Sequence, residues 1–403
     1  MKGINKKLIS GSLILLITFN IFNILNFFYQ FSMVRLLSIV DYGILATLFS
    51  ILYIFSIFTE SIQTIVTKYS TSEKDKGKLK NLLKRFLKKS FRVSFLIFVA
   101  YVILAIPMSI YLKIPYPLIA LNGVMIFLAF TTPVTRGLMQ GMKMFKSLGN
   151  NMIIEASLKL IFAISLVLIG WRVYGALTGA ILGVFASLLI SFPMLKSVLK
   201  AREKRAQTSH IYEYTAPVFV IMSTVLIFFS LDIIIAKFVF TPEVAGYYAI
   251  SSVLAKIIFI GTQPISRAMF PLSAEEKTKG RKPSSNVFMN AFIILLFAII
   301  VALIIFYIAP GLLFRVFTGK YIIQYSAILF NIAVAVCFLS LTNLILLYKL
   351  SLGKTRGYYL FLIFIIIQAF LLVYFSANLL QFSVALITAS AIFLWGSIFL
   401  LKE

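Results

Sequence analysis

Lys256 stands near the centre of an apolar stretch, Val244 to Pro271, which is longer than the roughly 20 residues a bilayer span needs. Steps at helical spacing from this lysine reach Ser252, Gln263 and Arg267, all within about 60° of one another at 100° per residue. A cation at mid-membrane costs about 2.5–3.5 kcal/mol on insertion scales, so it faces a wet cavity or a partner. The chemistry on offer is electrostatic: an internal site for something negative, with an amide and a hydroxyl beside it. The chain holds a single His (His210) and a single Cys (Cys337), too few for a disulfide framework or a Cys/His metal cluster. No cofactor and no metal is expected.

Other polar residues fall inside apolar runs. Asn20, Asn23, Asn26 and Gln30 share an arc of about 120° on the first run. Such amides either join helices or line a polar path. Ser56, Glu60, Gln63, Thr64 and Thr67 share one side of the second run. Glu155 and Lys159 are four apart, in the order that favours an intrahelical pair. Asp232, near the outer end of its run, can reach the interface or Lys237. Arg136 and Gln140 read as structural, and Arg35 and Asp41 as fixing the turn between the first two runs. Lys256 has no acid within one turn to neutralise it.

The elements that must position these groups are membrane helices. The 403 residues are 61% hydrophobic and 12% charged, with a mean hydropathy of +1.02. That composition excludes a soluble domain and points to an all-α integral membrane protein. Twelve apolar runs lie at about 8–34, 44–67, 91–112, 118–140, 150–170, 173–195, 212–236, 244–271, 286–309, 322–348, 357–377 and 381–401. The amino-terminal run is too long for the core of a signal peptide and lacks a small-residue cleavage site, so it reads as the first span. With both termini placed in the cytoplasm, only Arg35, Lys113, Arg172, Lys237, Arg315 and Lys320 of the 38 Lys and Arg fall outside, and Lys159 and Lys256 lie within spans. The rest are cytoplasmic, as the positive-inside rule requires. The net charge of +26 is therefore topological signal and contact with anionic lipid, not a nucleic-acid footprint.

Within the basic inner loop 68–92, Leu79, Leu82, Leu83, Phe86 and Leu87 recur at i, i+3, i+4, i+7 and i+8. This predicts an amphipathic helix lying on the inner leaflet. The chain also repeats itself. Gly43 and Gly246, in the turns Asp41-Tyr42-Gly43 and Ala245-Gly246-Tyr247, are 203 apart, and so are Pro107 and Pro310, read as ending spans three and nine. Gln140-Gly141 and Leu352-Gly353 follow in the same order. The repeat predicts two six-helix lobes, 1–205 and 206–403, split by a basic linker at Lys196–His210. Parallel repeats place a binding site near the midplane. The same offset aligns Glu60 with Gln263, and Tyr53 with Lys256.

The stretch "VRLLSIVDYGILATLFSILYIFSIFTESIQTIVTKYS", the lysine-rich loop after it, the Gln140-Gly141 turn and the glycine-rich start of span six (Gly175, Gly179, Gly183) carry a resemblance. They are similar to the polysaccharide transporters, or lipid-linked oligosaccharide flippases, of the MATE-like (multidrug/oligosaccharidyl-lipid/polysaccharide) superfamily. The resemblance implies twelve transmembrane helices in two pseudo-symmetric six-helix bundles around a central cavity that opens alternately to each side. It also implies that spans one, two, seven and eight line that cavity, so that Glu60 and Lys256 would face it.

The expected function is therefore translocation of an oligosaccharide on a polyprenyl phosphate or diphosphate carrier across the cytoplasmic membrane. In that scheme Lys256 and Arg267 attract the phosphate, while Asn23, Asn26, Gln30, Glu60, Gln63 and Gln263 line the sugar path. The expected partners are the lipid-linked glycan and the anionic inner leaflet, with glycan-assembly proteins as further contacts of a monomer. The alternative is a cation-coupled multidrug antiporter of the same superfamily, for which Glu60 is the acid on offer. A membrane glycosyltransferase or polymerase is disfavoured, because every outer loop is short and none carries two carboxylates.

Overall fold

The structure, a computed structural model, describes residues 6–206, 215–278 and 285–400. Its helices in chain order are α1 (Lys6–Leu36), α2 (Ile39–Ser72), α3 (Lys76–Leu112), α4 (Tyr116–Gly141), α5 (Phe145–Leu166), α6 (Arg172–Met194), α7 (Lys196–Leu199), α8 (Thr215–Val239), α9 (Pro242–Thr278), α10 (Ser285–Ile308), α11 (Pro310–Thr318), α12 (Ser326–Ser351), α13 (Leu362–Tyr374) and α14 (Leu379–Phe399). Each of the twelve apolar runs meets a helix; α7 and α11 are short additions. Among the described residues, nine segments are long and apolar enough to cross a membrane, and one of them, Phe145–Met194, holds both α5 and α6. The 31-residue α1 and the shorter apolar segment Tyr358–Tyr374 complete the twelve.

Hydropathy places the spans but not their ends. Helices α2, α3 and α9 run for 34, 37 and 37 residues. At about 1.5 Å per residue they exceed 50 Å, well beyond a hydrocarbon core of about 30 Å. Their polar ends stay helical because Lys, Arg, Glu and Gln are good helix formers once a helix is nucleated. Pro107, expected to end a span, lies inside α3. Its counterpart Pro310 does mark a break, since it opens α11.

The chain divides into two compact units, one of Met1–Asp41 with Phe55–Ile211, the other of Tyr42–Ile54 with Tyr212–Glu403. In the first unit, α5 and α6 approach almost backbone to backbone. The chain turns between them at Gly170 (φ 102°) and Arg172 (φ 48°). Gly175, Gly179 and Gly183 then lie four apart on the face of α6 that meets α5. A Cβ on Gly183 would sit 2.7 Å from the Lys159 backbone, one on Gly175 2.8 Å from Leu166, and one on Gly179 would overlap Ala163. Small residues at this spacing let membrane helices close to van der Waals contact of their main chains. At the start of α6, Arg172 forms an ion pair with Asp41 at 2.8 Å. Arg35 and Asp41, read as fixing the turn between the first two runs, have different neighbours: the Arg35 guanidinium stands 4.2 Å over the Phe31 ring.

The amphipathic stretch in the inner loop also differs from expectation. It is the beginning of α3, and its apolar stripe faces protein rather than lipid. Leu79, Leu82 and Leu83 join Val66, Val134, Leu138, Leu148, Leu195 and Val198 in one buried cluster. The cover is α7 and the strap 200–206 that follows it. The Lys80 ammonium donates to Ala201 O at 3.0 Å and the Arg85 guanidinium to Ala206 O at 3.0 Å. Lys204 pairs with Asp75 at 2.7 Å and Lys84 with Glu203 at 2.6 Å. The boundary residue His210 of the expected linker lies outside the described residues.

These strap pairs are exposed, so each contributes little alone. Lys204 first, then the Gly77 N–H, hold the Asp75 carboxyl below its ordinary range. Lys84 and Asn81 do the same for Glu203. Their stabilising effect is present above the ordinary carboxylate pKa and is lost as pH falls through the lowered values. Acid should thus loosen the strap. Gly77→Ala should do so at neutral pH, because a Cβ there would overlap Arg202 O. The readout is hydrogen exchange at the Lys204 amide, which donates to Gly77 O at 3.2 Å. Unchanged protection in Gly77→Ala would mean that the strap does not seat on α3.

In the second unit the two turn glycines of the repeat meet. A Cβ on Gly43 would lie 2.8 Å from Gly246 Cα. The first copy of the motif thus has a packing reason for its glycine: a side chain at Gly43 would meet the backbone of the second copy at one helix crossing.

Candidate functional site

In the first unit, α5 places Asn151 and Glu155 one turn apart on a face that meets Arg136 of α4. Arg136 Nη2 donates to Glu155 Oε2 at 2.6 Å, and its Nε donates to Asn151 Oδ1 at 2.9 Å. Ser187 Oγ of α6 donates to the same carboxylate at 2.9 Å, and Asn151 Nδ2 donates to Ser187 O at 2.6 Å. The ion-pair side chains are only 12% and 11% exposed. This corrects the expected Glu155–Lys159 pair. A guanidinium on a facing helix offers a rigid fork at the right distance, whereas a lysine at i+4 must bend its stem back on its own helix.

Lys159 goes elsewhere. Its ammonium donates to Asn26 Oδ1 of α1 at 2.9 Å and lies 4.2 Å from the Tyr29 ring centroid. The Asn26 Nδ2 donates to Phe22 O at 2.8 Å, which turns the amide oxygen toward the lysine. The Tyr29 hydroxyl donates to Ala176 O at 2.9 Å and so anchors the ring. Lys159, Asn26 and Gln30 are half-buried, and Asn23 is exposed. On α1 Gln30 and Asn23 lie about 40° and 60° round from Asn26, so the three amides make one polar strip beside the lysine. Gln63 Nε2 donates to Gln140 Oε1 at 2.8 Å, a tie between α2 and α4. Glu60 is exposed.

In the second unit, Lys256 has a partner that the sequence did not reveal. Its ammonium is 2.7 Å from Asp232 Oδ1 of α8, with the two side chains 8% and 2% exposed. Ser252 Oγ and the Tyr248 hydroxyl donate to Asp232 Oδ2 at 2.6 and 3.1 Å. The Phe229 ring centroid is 4.9 Å from the ammonium. Lys256 has no acid within one turn of its own helix, as read from the sequence, and its partner comes from a facing helix; Asp232, read as reaching the interface or Lys237, meets Lys256. A helical side chain points back toward the amino end of its helix, and the long lysine stem carries the charge to the level of Ser252. The signal was present: Tyr248, Ser252 and Lys256, each four apart, form a column of donors, and Asp232 is the sole acid in α8. Of the other candidates on α9, Gln263 is half-buried and Arg267 exposed.

Residues 9–277 match the family described as "Polysaccharide biosynthesis protein", which covers well over half of the chain. No curated protein sequence matches. Among solved structures, an inward-facing multidrug resistance MATE family transporter of the MOP superfamily is similar, with a TM-score of 0.75, 12% identity and 94% of each chain covered. The lipid II flippase MurJ in an inward closed conformation is similar too, with a TM-score of 0.70, 16% identity and coverage of 96% of this chain and 87% of that one. The eukaryotic MATE transporter AtDTX14 has a TM-score of 0.67 and 13% identity, over 99% of this chain and 97% of its own. At such identities the likeness establishes the fold: a multi-pass, MATE-like helical membrane protein. The match over residues 9–277 adds the family, and the chain belongs to the polysaccharide biosynthesis proteins of that description.

Proposed function

We propose that the chain is a flippase for a lipid-linked oligosaccharide, moving it from the cytoplasmic to the outer leaflet of the cell membrane by alternating access. Both termini lie in the cytoplasm in this scheme, and the work is binding and release, not bond chemistry. The observation that carries the proposal is the family match over residues 9–277. It is supported by a fold shared with a lipid II flippase and with drug transporters, and by the amides set within apolar helices. In this reading Asn23, Asn26 and Gln30 hydrogen-bond sugar hydroxyls as water is stripped from them, and exposed Arg267 meets a phosphate. The prenyl chain stays in lipid.

The fold likeness to multidrug transporters keeps a second reading alive, a cation-coupled drug exporter. Both carboxylates of the buried ion pairs, Glu155 and Asp232, are held by Arg136 and Lys256. An exposed acid, Glu60, would then have to bind the coupling ion. Loss of cation-driven drug efflux in Glu60→Gln would favour that reading.

In cells, removing the protein should leave the completed lipid-linked glycan on the cytoplasmic leaflet and strip the surface of the corresponding polymer. A normal surface glycan, with no lipid-linked precursor accumulating, would overturn the proposal.

A further inference from the structure

The second copy of the repeat carries an insertion that the first copy lacks. In the first unit α3 passes to α4 through residues 113–115, whereas α10 and α12 are separated by α11 and the loop 319–325. Ala309, at φ −127° and ψ 42°, breaks the helix, and Pro310 starts the next one. The 9 residues of α11 rise about 14 Å, less than half of a hydrocarbon core of about 30 Å, so α11 does not span. Its end is fixed. Gly319, at φ 76°, donates its N–H to Arg315 O at 2.9 Å, and the Lys320 N–H donates to Thr318 Oγ at 3.1 Å.

Around α11 the side chains sort into two opposite arcs. Gly311, Phe314, Phe317 and Thr318 are buried, and at 100° per residue they fall within about 120° of one another. Leu312, Arg315 and Val316 fill an arc of about 100° on the other side. Leu312 and Val316 are each 55% exposed, and Arg315 is exposed too. In sequence this arc is flanked by Tyr307 and Ile308 at the end of α10 and by Tyr321 and Ile323 after α11, all exposed. Tyr321 is seated on the helix, since a Cβ on Gly311 would lie 2.8 Å from its ring. Left in water, an apolar arc of this kind would be an association site. With a cation in it, tyrosines beside it and the apolar spans α10 and α12 packed against it, it has the composition of a helix lying in a membrane interface.

The charges choose the headgroup. Arg315 and Lys320 are both exposed, and neither α11 nor the two helices it packs on holds a carboxylate. We infer that α11 is a monotopic helix seated on the outer leaflet, with Leu312 and Val316 in the acyl boundary and Arg315 and Lys320 on the phosphates of anionic phospholipids. The outer side rests on the orientation proposed above, with both termini in the cytoplasm. The occupant is bulk phospholipid, not cargo. Arg315 and Lys320 are two of the few basic residues that the positive-inside count leaves outside, and this contact gives them a task. Their attraction to the headgroups falls off within a Debye length, so they act only while the apolar arc holds the helix at the surface.

The test uses the purified full-length chain in phosphatidylcholine vesicles, with or without phosphatidylglycerol. Nitroxide labels are placed one at a time through Leu312→Cys, Val316→Cys and Lys320→Cys, after Cys337→Ala removes the chain's buried native thiol. Oxygen concentrates in the bilayer, and a nickel chelate stays in water. At Leu312 and Val316 the label should meet oxygen at least about threefold more than the chelate, with the reverse at Lys320. In phosphatidylglycerol vesicles, Arg315→Gln with Lys320→Gln should about double chelate access at Leu312. The same pair should change nothing in phosphatidylcholine alone, and Lys113→Gln, in the short loop of the first unit, should change nothing in either. Inorganic phosphate at matched ionic strength should not replace phosphatidylglycerol. Chelate access at Leu312 and Val316 equal to that at Lys320 would put the face in water and overturn the seating. A double variant indistinguishable from the parent in phosphatidylglycerol would overturn the headgroup contact. Protection present in cells but absent in vesicles would give the face to a protein partner and overturn the lipid assignment. An impermeant maleimide should label Lys320→Cys from outside intact cells. Labelling only in inverted vesicles would overturn the outer placement and the orientation it rests on, and would leave translocation itself untouched.

Discussion

Replacing Lys256 with alanine is expected to destabilise the second unit by about 3–5 kcal/mol, the usual cost of leaving one member of a buried ion pair unpaired. Asp232 would keep the Tyr248 and Ser252 donors but lose its counter-charge, at a position only 1% exposed. Asp232→Asn alone should cost a similar amount, since it strands the lysine. The double change Asp232→Asn with Lys256→Gln should recover most of the loss, because it removes both charges together and leaves amides that can bond each other. Thermal unfolding of the purified variants measures all three. A Lys256→Ala protein as stable as the parent would mean that the pair is not formed. Export by the stable double variant then reports on function apart from folding: retained export makes the pair structural, and lost export gives it a part in transport.

The second large effect is steric. Gly179→Leu should abolish accumulation of folded protein, and Gly179→Ala should already cost about 1–3 kcal/mol, the range for overpacking a tight interior. Even the first carbon of a side chain would overlap Ala163, and backbone can move away only by separating α5 from α6. That separation would also strain the Arg136–Glu155–Ser187 network, which ties the same helices. Gly261 is the control. It lies in α9, exposed, with nothing within 4 Å of a Cβ built on it. Gly261→Ala should be neutral or stabilising by up to about 1 kcal/mol, since alanine is the better helix former. Size-exclusion profiles of detergent extracts distinguish the two. Equal folded yields for Gly179→Leu and the parent would refute the close packing of α5 on α6.

The placement of the helices was legible because burial in lipid demands long apolar runs, and nothing else in the chain resembles them. Their ends were not, since a lysine-rich turn such as the start of α3 continues a helix as readily as it leaves one. The stripe of Leu79, Leu82 and Leu83 announced an amphipathic face correctly but could not say what covers it; the cover, Leu195 and Val198, lies more than a hundred residues away. Partner choice failed in the same manner. The spacing of Glu155 and Lys159 suggested a local pair, yet Arg136 takes the acid and Asn26 the lysine, because packing brings groups from other helices closer than one turn of their own. Gly175, Gly179 and Gly183 were legible only through a resemblance, and Gly43 and Gly246 only as markers of the repeat; the close backbone approach they permit is a finding of the structure.

The most direct test of the flippase reading is translocation by the purified protein in vesicles. A lipid-linked oligosaccharide with a labelled sugar is placed in both leaflets, and access of an impermeant glycosidase from outside is followed with time. With the protein present, the protected inner-leaflet half should become accessible, and vesicles carrying the unfolded Gly179→Leu chain or no protein should keep it protected. Protection that persists with the folded parent protein, under either orientation of an imposed ion gradient, would contradict the account.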